Sequence, residues 1–379
     1  MITALENGRI LTGAGFIDGS LLIEDGVIAA VVEGPATVAG RRHDLGGRRL
    51  VPGFIDTQVN GGGGILFNDA PTVETISRIG AAHRRFGTTG FLPTLISDDL
   101  DTVARAIAAV DAAILAGAPG VLGIHIEGPF LNSRRKGVHD ASKFRILDEA
   151  VLPLLGSLKH GRTLITLAPE TTTPAMIAKL VAGGSIVAAG HTNASYRTIR
   201  ASLDAGLSGF THLFNAMSPL TSREAGVVGA ALDDQDSWCG LIVDGRHVDP
   251  VVMRIALRAK RHDRFMLVTD AMPNVGTDDQ VFMLQGRQIR VENGVCVDDH
   301  GTLAGSALDM AAAVRNAVAM LGLDLVEAIR MASRSPADFL GLGESHGEIA
   351  VGCRADLALL DDETRVVETW IGGRTSSEA

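Results

Sequence analysis

The chain has 379 residues, of which 46% are hydrophobic and 21% charged, and its formal net charge is −10. This length allows one large domain and a small one, and the apolar fraction predicts a sizeable core. The acidic balance, without any block of basic residues, argues against a general affinity for nucleic acid, although a small phosphorylated ligand needs only a local basic pocket. No apolar segment approaches the roughly 20 residues of a membrane span.

The cysteines and the N-terminal residues predict a cytoplasmic protein. Cys239, Cys296 and Cys353 are far apart, and no CxxC pair exists. Reduced thiols are therefore favoured over disulfides or a thiolate metal site. The first residues, MITALENGRILTG, contain no basic head followed by an apolar run, so no signal peptide is predicted.

Both ends of the chain have the pattern of short β-strands. Residues 1–49 contain the runs ALENGRILT and GSLLIEDGVIAAVV, separated by Gly and Asp turns, and residues 346–379 contain GEIAVG, ADLALLD and VVETWIGG. We predict that the two ends form one small β-sandwich domain. Residues 50–345 would then be inserted between them as a second domain.

From Leu50 onward, short apolar runs alternate with amphipathic helical stretches, which is typical of a parallel βα architecture. One helix follows Asp98 and Asp99, two possible caps, because apolar residues recur on one face from Val103 to Ile114. Eight strand candidates at this spacing predict an α/β fold, a (β/α)₈ TIM-like barrel, with a doubly wound open sheet as the alternative. The candidates span residues 50–59, 89–95, 120–128, 163–170, 185–192, 209–215, 238–245 and 265–272.

Between about residues 279 and 300 the pattern changes to that of a β-hairpin, VFMLQGRQIRVENGVCV. Asn293-Gly294 is its predicted turn, because Asn-Gly suits the two positive φ angles of a tight hairpin. We interpret this segment as an insertion after the eighth strand of the barrel.

Polar side chains follow most of the predicted strands, and active sites of such barrels lie at the carboxyl ends of the strands. One carboxylate and two imidazoles that converge there suffice to hold a zinc ion with an open position for water. A remaining carboxylate is then free to act as an acid or base. The strand ends carry, in chain order, Gln58, Asn60, Glu127, His191, His212, Asp244, His247 and Asp270.

Each of these residues also has an ordinary structural interpretation. A histidine at a strand end is more often a hydrogen-bonded structural residue than a ligand, Glu127 could be a buried ion-pair partner, and Asp270 could cap the turn before Pro273. Four such residues at four strand ends nevertheless favour a metal site. His125 could support that site or simply pack in the core. The other histidines are predicted to lie on the surface or in loops: His43, His83, His160, His262, His300 and His346.

A series of short motifs extends over nearly the whole chain. They are PGFIDTQVNGGGG (52–64), GTTGFLPTL (87–95), HIEGPFLN (125–132), KGVHD (136–140), GHTNA (190–194), THLFNAM (211–217), REAG (223–226), DGRHV (244–248), VTDAM (268–272), LAGSALDM (303–310) and GEIAVGCRADLALLD (347–361). This series resembles the N-acetylglucosamine-6-phosphate deacetylase family of the amidohydrolase superfamily. HIEGPF together with THLFNAM is specific, whereas GHT or TDA alone would be weak.

The resemblance implies an enzyme that removes the acetyl group from N-acetylglucosamine-6-phosphate with the help of one divalent metal ion per subunit. Zinc is the favoured ion, and iron or another divalent ion is the alternative. Glu127, His191 and His212 match the family's metal ligands. Asp270 matches its catalytic acid and base, and His139 matches the catalytic histidine that contacts the substrate and polarises its carbonyl group.

The resemblance also implies a set of substrate-binding residues. Arg223 and His247 match a phosphate-binding pair that, in the family, reaches the active site of the neighbouring subunit, so a homodimer is expected. Without the resemblance, Arg223 would be expected to pair with Glu224 or another surface carboxylate. The remaining substrate-binding residues are His139, Asn215, Ala216, Leu303, Ala304 and Gly305.

Many amidohydrolases begin the first barrel strand with His-x-His and hold two metal ions. Here these positions are Gln58 and Asn60, and neutral amides are poor zinc ligands. The second metal position is therefore predicted to be vacant, a departure that some deacetylases of this family share. The two amides could instead satisfy backbone groups or order water.

Other functions remain open at this point. A related deacylase could act on an N-acyl amino acid or on the galacto epimer of the sugar. A non-catalytic paralogue is disfavoured by the intact strand-end carboxylates and imidazoles. A phosphotriesterase-like hydrolase with two metal ions is disfavoured by the missing His-x-His and by the absence of a lysine in the fourth strand, TLITLAPE.

Overall fold

The structure, a computed structural model, describes residues 2–37, 40–292 and 294–378. The predicted turn residue Asn293 lies outside them. The strands are β1 (Ile2–Thr12), β2 (Gly15–Glu24), β3 (Val27–Glu33), β4 (Arg41–Asp44), β5 (Arg49–Pro52), β6 (Phe54–Val59), β7 (Gly61–Gly62), β8 (Ile65–Leu66), β9 (Thr88–Ile96), β10 (Gly123–Glu127), β11 (Arg162–Leu167), β12 (Ile186–Ala189), β13 (Gly209–Phe210), β14 (Trp238–Leu241), β15 (Phe265–Leu267), β16 (Val281–Leu284), β17 (Arg287–Glu292), β18 (Val295–Val297), β19 (Leu303–Ser306), β20 (Leu357–Leu360), β21 (Val366–Ile371) and β22 (Arg374–Thr375). The helices are α1 (Val73–Arg84), α2 (Leu100–Leu115), α3 (Leu152–Leu155), α4 (Pro174–Ala182), α5 (Tyr196–Asp204), α6 (Gly226–Asp233), α7 (Pro250–Ala259), α8 (Met310–Leu321), α9 (Leu325–Ala332) and α10 (Arg334–Phe339).

The two ends of the chain form one eight-stranded sheet, in the order β22-β21-β20-β5-β1-β2-β3 with β4 paired to β1. It has an apolar cluster of its own, which includes Leu21, Leu357 and Trp370. The small β-sandwich built from both termini is therefore confirmed. The domain boundaries at residues 49/50 and 345/346 remain predictions.

A second sheet contains eight parallel strands in the order β15-β14-β13-β12-β11-β10-β9-β6. Asn60 N donates to Ala271 O at 2.9 Å and Asp270 N donates to Gln58 O at 3.0 Å, so the chain after β15 pairs with the end of β6 and nearly closes the sheet. The barrel is thus confirmed and the doubly wound open sheet is wrong. Helices pack around the barrel; in α2, for example, the predicted apolar face buries Val103 and Ile107.

The first predicted barrel strand, residues 50–59, is divided in the structure. Residues 49–52 form β5 in the terminal sheet, and the barrel strand β6 begins only at Phe54. Between them, Gly53 approaches β9 so closely that an added Cβ atom would lie 2.0 Å from Thr89 Oγ1. The close approach at Gly53 therefore marks the passage from one sheet to the other.

The predicted insertion is larger than a hairpin. Strands β16 to β19 form a four-stranded antiparallel sheet, which we call the inserted sheet (residues 281–306). Its last strand connects to the barrel through a bridge between Ser306 and Ala271, directly after the catalytic candidate Asp270. The inserted sheet therefore lies next to the carboxyl ends of the barrel strands.

One histidine is misplaced by the sequence prediction. His83 lies in α1 and is fully buried, and its Nε2 atom pairs with Gly61 O at 2.9 Å after β6. His160, His262 and His300 are exposed, as predicted. Among the described residues, no helix combines the length and the apolar character that crossing a membrane requires.

Candidate active site

Three side chains from three strand ends meet at one point in the barrel mouth. Glu127 ends β10, and His191 and His212 follow β12 and β13. Glu127 Oε1 lies 3.1 Å from Nε2 of His191 and 3.1 Å from Nε2 of His212, and the two Nε2 atoms are 3.1 Å apart. All three side chains are buried. The structure therefore brings together the three predicted ligands, which the sequence separates by up to 85 residues.

The backbone at these strand ends is unusual. His191, His212 and Asp270 have φ angles of 48°, 34° and 52°, in the left-handed region. Residues with a Cβ atom rarely adopt this conformation, which costs about 1–3 kcal/mol each and is found preferentially at functional sites. It also ends each strand, which explains why the strands are shorter than predicted and why these side chains turn into the barrel mouth.

The donor atoms fit a divalent cation. Nδ1 of His191 lies 2.8 Å from the carbonyl oxygen of Arg135. Because a carbonyl oxygen only accepts, Nδ1 carries a hydrogen, and Nε2 is the ring atom that faces Glu127 and His212 and could bind a cation. Ligand atoms about 2.1 Å from a tetrahedral zinc ion lie about 3.4 Å apart, close to the 3.1 Å separations of this triangle.

The charge distribution also suits a cation. Burial raises the pKa of Glu127, but the contacts from His191 and His212 outweigh burial and hold the pKa well below its ordinary value, so Glu127 is a carboxylate. Burial lowers the pKa of His212, yet the same carboxylate raises it above its ordinary value. The Glu127 carboxylate therefore places a negative charge at one corner of the triangle, which favours a cation between the three side chains.

Gln58 and Asn60 connect this triangle to Asp270. Gln58 Nε2 donates to Glu127 Oε2 at 3.0 Å and to Asp270 Oδ1 at 3.2 Å, and Asn60 Nδ2 donates to the same Oδ1 at 2.6 Å. Both amides thus bind carboxylates rather than backbone groups. Amide hydrogens, and not lone pairs, therefore face the two carboxylates.

Asp270 has the properties of a proton-transfer group. Burial, and next the negative charge of Glu127, raise the pKa of Asp270 to about 6. A carboxylate with a pKa near neutrality can both accept and return a proton at neutral pH. Its Oδ1 atom is occupied by Gln58 and Asn60, which leaves Oδ2 without a hydrogen bond among the described residues.

His139 lies beside the triangle, with its ring centroid 4.4 Å from that of His191. One ring nitrogen of His139 also lies within 4.8 Å of a ligand atom of Glu127 and of a ligand atom of His191. These separations are larger than the 3.1 Å separations of the triangle. Ser97 N donates to Nδ1 of His139 at 3.4 Å, so the hydrogen of the neutral ring is on Nε2. Burial lowers the pKa of His139 to about 3, which keeps the ring neutral and makes it a hydrogen-bond donor.

These groups open into a cavity of about 370 Å³. A larger cavity of about 470 Å³ lies between α1 and β21, but none of the strand-end side chains lines it. Ala304 is buried and is not in the lining of the smaller cavity, whereas Leu303 and Gly305 are. The lining residues of the smaller cavity are Asn60, Ile96, Glu127, Arg134, Arg135, Gly137, Val138, His139, His191, His212, Asn215, Ala216, His247, Asp270, Met272, Leu284, Thr302, Leu303 and Gly305.

The structure brings His247 to the cavity and leaves Arg223 outside it. His247 lines the cavity of its own chain, and its contact with a neighbouring subunit stays a prediction. Asp244, which follows β14, holds it there by accepting from His247 N at 2.9 Å and contacting Nδ1 at 2.6 Å. Arg223 is exposed and forms no ion pair with any described residue, so the expected pairing with Glu224 is wrong.

Sequence reasoning missed several residues near the cavity. Arg134 and Arg135 line it, although the KGVHD motif that follows them was recognised. Ser97, which holds His139, and Gln285 of the inserted sheet were also missed. The two arginines could have been found as a basic pair beside the motif, whereas the contacts of Ser97 and Gln285 are visible only in three dimensions.

The barrel, the terminal sheet and the carboxylate–imidazole group at the strand ends define a hydrolase of the metal-dependent amidohydrolase class. The chain belongs to the amidohydrolase family, whose profile matches residues 49–375. It is 43% identical to the N-acetylgalactosamine-6-phosphate deacetylase of Shewanella sp. (strain ANA-3), over 99% of this chain and 96% of that protein. It is 35% identical to the N-acetylglucosamine-6-phosphate deacetylase of Haemophilus influenzae, over 94% of each chain.

A solved structure supports the same family assignment. The crystal structure of N-acetylglucosamine-6-phosphate deacetylase from Pasteurella multocida superposes with a TM-score of 0.96 at 35% identity, over 99% of this chain and 100% of that chain. The resemblance drawn from the sequence motifs is therefore confirmed.

Proposed function

We propose that the protein hydrolyses the acetamido group of N-acetylglucosamine-6-phosphate to give glucosamine-6-phosphate and acetate. The observation that carries this proposal is the buried triangle of Glu127, His191 and His212, with Asp270 beside it, at the base of a cavity of about 370 Å³. The names of the Haemophilus and Pasteurella proteins support the choice of substrate.

Glu127, His191 and His212 would hold one divalent cation, for which zinc is our first choice and iron the alternative. When bound, such a cation makes a water molecule more acidic and polarises a carbonyl group. Gln58 and Asn60 would leave the second metal position of the binuclear relatives vacant, because their amide hydrogens already bind Glu127 and Asp270.

The chain's own residues would move the protons. Asp270 takes a proton on Oδ2 from the attacking water, while Gln58 and Asn60 fix Oδ1. The water oxygen bonds to the carbonyl carbon, and His139 donates from Nε2 to the carbonyl oxygen as negative charge grows there. Asp270 then returns the proton to the sugar nitrogen, the carbon–nitrogen bond breaks, and acetate and the amine leave.

A second candidate substrate is the galacto epimer, N-acetylgalactosamine-6-phosphate. It is favoured by the Shewanella relative, which is more similar to this chain, at 43% identity, than the Haemophilus glucosamine relative, at 35%. The two epimers differ only in the orientation of one hydroxyl group, so both keep the acetamido group and the phosphate on which the proposal depends.

Acetate release tests the proposal directly. We expect the metal-loaded enzyme to release acetate from at least one of the two N-acetylhexosamine 6-phosphates, and prior chelation to abolish the release. The ratio of kcat/KM for the two epimers identifies the preferred substrate. If the metal-loaded protein releases no acetate from either compound, the proposed function is wrong and the non-catalytic alternative is favoured.

We further propose that the protein is a homodimer in which Arg223 binds the substrate phosphate in the neighbouring subunit, while His247 contributes to the site of its own chain. Arg223 is exposed and unpaired among the described residues, as expected for a side chain that completes another site. Nearby in the chain, Leu220 is 57% exposed, and α7 exposes Val251 and Ile255. Exposed apolar side chains are the kind that a subunit interface buries.

Arg223→Ala is expected to raise KM for the phosphorylated sugar by about 10- to 100-fold, since a charge-assisted hydrogen bond contributes about 1.5–3 kcal/mol. KM for the unphosphorylated N-acetyl sugar should change little. As a control, Arg48→Ala at an exposed position should leave the KM values for both sugars unchanged. Equal effects on both sugars would reject phosphate binding. Mixed dimers of Arg223→Ala and Asp270→Asn chains should regain activity, because one of their two sites is intact; no recovery would place Arg223 in its own chain's site.

A further inference from the structure

The inserted sheet (residues 281–306) carries an unusual residue at its first turn. Gln285 and Gly286 connect β16 to β17 with φ angles of 48° and 79°, and Leu284 pairs with Arg287 on either side of them. Such two-residue turns, with both φ angles positive, normally contain Asn, Asp or Gly. A glutamine in the left-handed region is uncommon, and its side-chain contacts offer a reason for its presence at this turn.

The Gln285 side chain joins two loops of the barrel mouth. Its Nε2 atom donates to Ser97 O at 3.0 Å, and its Oε1 atom accepts from Asp140 N at 2.9 Å. Ser97 follows β9, and Asp140 lies in the loop after β10. Both hydrogen bonds of the amide are thus made to backbone groups of loops that end at the active site.

Ser97 and Asp140, the two residues that Gln285 binds, are both next to His139. Ser97 Oγ lies 2.8 Å from Nδ1 of His139, and Asp140 is the next residue in the chain. His139 itself lies outside any helix or strand, so the regular hydrogen bonds of secondary structure do not fix it. Gln285 therefore holds both the residue that orients the imidazole ring and the backbone that carries it.

Apolar packing accompanies these hydrogen bonds. Leu284, next to Gln285, belongs to a buried cluster with Ile96, and Val138 packs against that cluster. Ile96 and Val138 directly precede Ser97 and His139 in the chain. This packing would keep the inserted sheet in place when the Gln285 amide is removed, so the effect of the amide can be measured separately from that of the sheet.

We propose that Gln285 is a positioning residue for the hydrolysis: it acts through Ser97 and Asp140 to aim the Nε2–H of His139 at the substrate carbonyl oxygen. This inference rests on the proposed function of His139. Gln285 transfers no proton and does not need to touch the substrate. Its contribution is to limit the orientations of a loop histidine, and rates are sensitive to displacements of about 1 Å in such groups.

Gln285→Met tests the proposal, because methionine has a similar length but cannot replace either hydrogen bond. We expect kcat to fall about tenfold with KM changed less than about twofold. The matched control is Gln288→Met, two residues beyond the turn, where the exposed glutamine side chain makes no hydrogen bond among the described residues. Gln288→Met should keep the wild-type kcat. Both Gln285→Met and Gln288→Met should have the thermal unfolding midpoint of the wild type.

A double-mutant cycle separates positioning from a general structural role. In a His139→Gln background, Gln285→Met should lower kcat by less than about twofold, because the residue on which it acts is gone. A tenfold loss in both backgrounds would overturn the proposal. So would an unchanged kcat in the otherwise wild-type enzyme.

Hydrogen–deuterium exchange supplies a test that does not require activity. The segment around Asp140 should exchange faster in Gln285→Met than in Gln288→Met or the wild type, because the Asp140 amide loses its acceptor. Unchanged exchange would contradict the proposal. If the wild type released no acetate, the proposed function would fail while this contact could still be measured; if the wild type were active and Gln285→Met matched its control, only the positioning role would fail.

Discussion

Asp270→Asn is expected to lower kcat by about 10²- to 10⁴-fold, the usual contribution of a general acid–base group, while the bound metal stays in place. Asparagine has the same shape, and its oxygen can still accept from Gln58 and Asn60, which donate to Oδ1 in the native protein. It cannot take a proton from water or give one to the leaving nitrogen.

The matched control is Asp18→Asn, in the terminal sheet, where the side chain is 92% exposed. Its kcat and metal content should equal those of the wild type. A kcat within about tenfold of wild type for metal-loaded Asp270→Asn would remove Asp270 from the mechanism.

His212→Asn is expected to lose both the metal ion and the activity. Nδ1 of His212 has no hydrogen-bond partner among the described residues, so the substitution removes chiefly the contacts of Nε2 with Glu127 and His191. Metal affinity should fall by more than about 100-fold, beyond the 10- to 100-fold cost of losing a residue that only supports a ligand.

The exposed histidine at position 160 supplies the control, since the His160 side chain pairs with Asp111 on the surface, away from the cavity. Metal content measured by elemental analysis should remain at one equivalent for His160→Asn and fall to near zero for His212→Asn. Full metal content and activity in His212→Asn would show that the ion, if present, is held by other residues.

The overall fold could be predicted because it depends on patterns that repeat along the chain. Alternating apolar runs and amphipathic helices indicated the barrel, and similar strand patterns at both ends indicated the terminal sheet. The strand ends were predicted less well. β13 consists of Gly209–Phe210 alone, because His212, two residues later, has a left-handed backbone conformation. No local sequence pattern predicts that conformation.

The candidate site could be located from strand ends and motifs, but its internal contacts could not. Gln58 reaches across 69 residues to Glu127, and Gln285 reaches across 188 residues to Ser97. His83 was expected on the surface or in a loop, yet it lies in α1 and is buried against Gly61. The reach of His247 into a neighbouring subunit stays a prediction from the resemblance, whereas its contact with Asp244 and its place in the cavity lining are visible only in three dimensions.

The central claim is that Glu127, His191 and His212 share one divalent ion. Anomalous diffraction from crystals of the metal-loaded protein, measured on both sides of the metal's absorption edge, tests this most directly. The account predicts one peak per chain, about 2.0–2.2 Å from Glu127 Oε1 and from the Nε2 atoms of both histidines. A second peak beside Gln58 and Asn60, or no peak within the triangle, would contradict it.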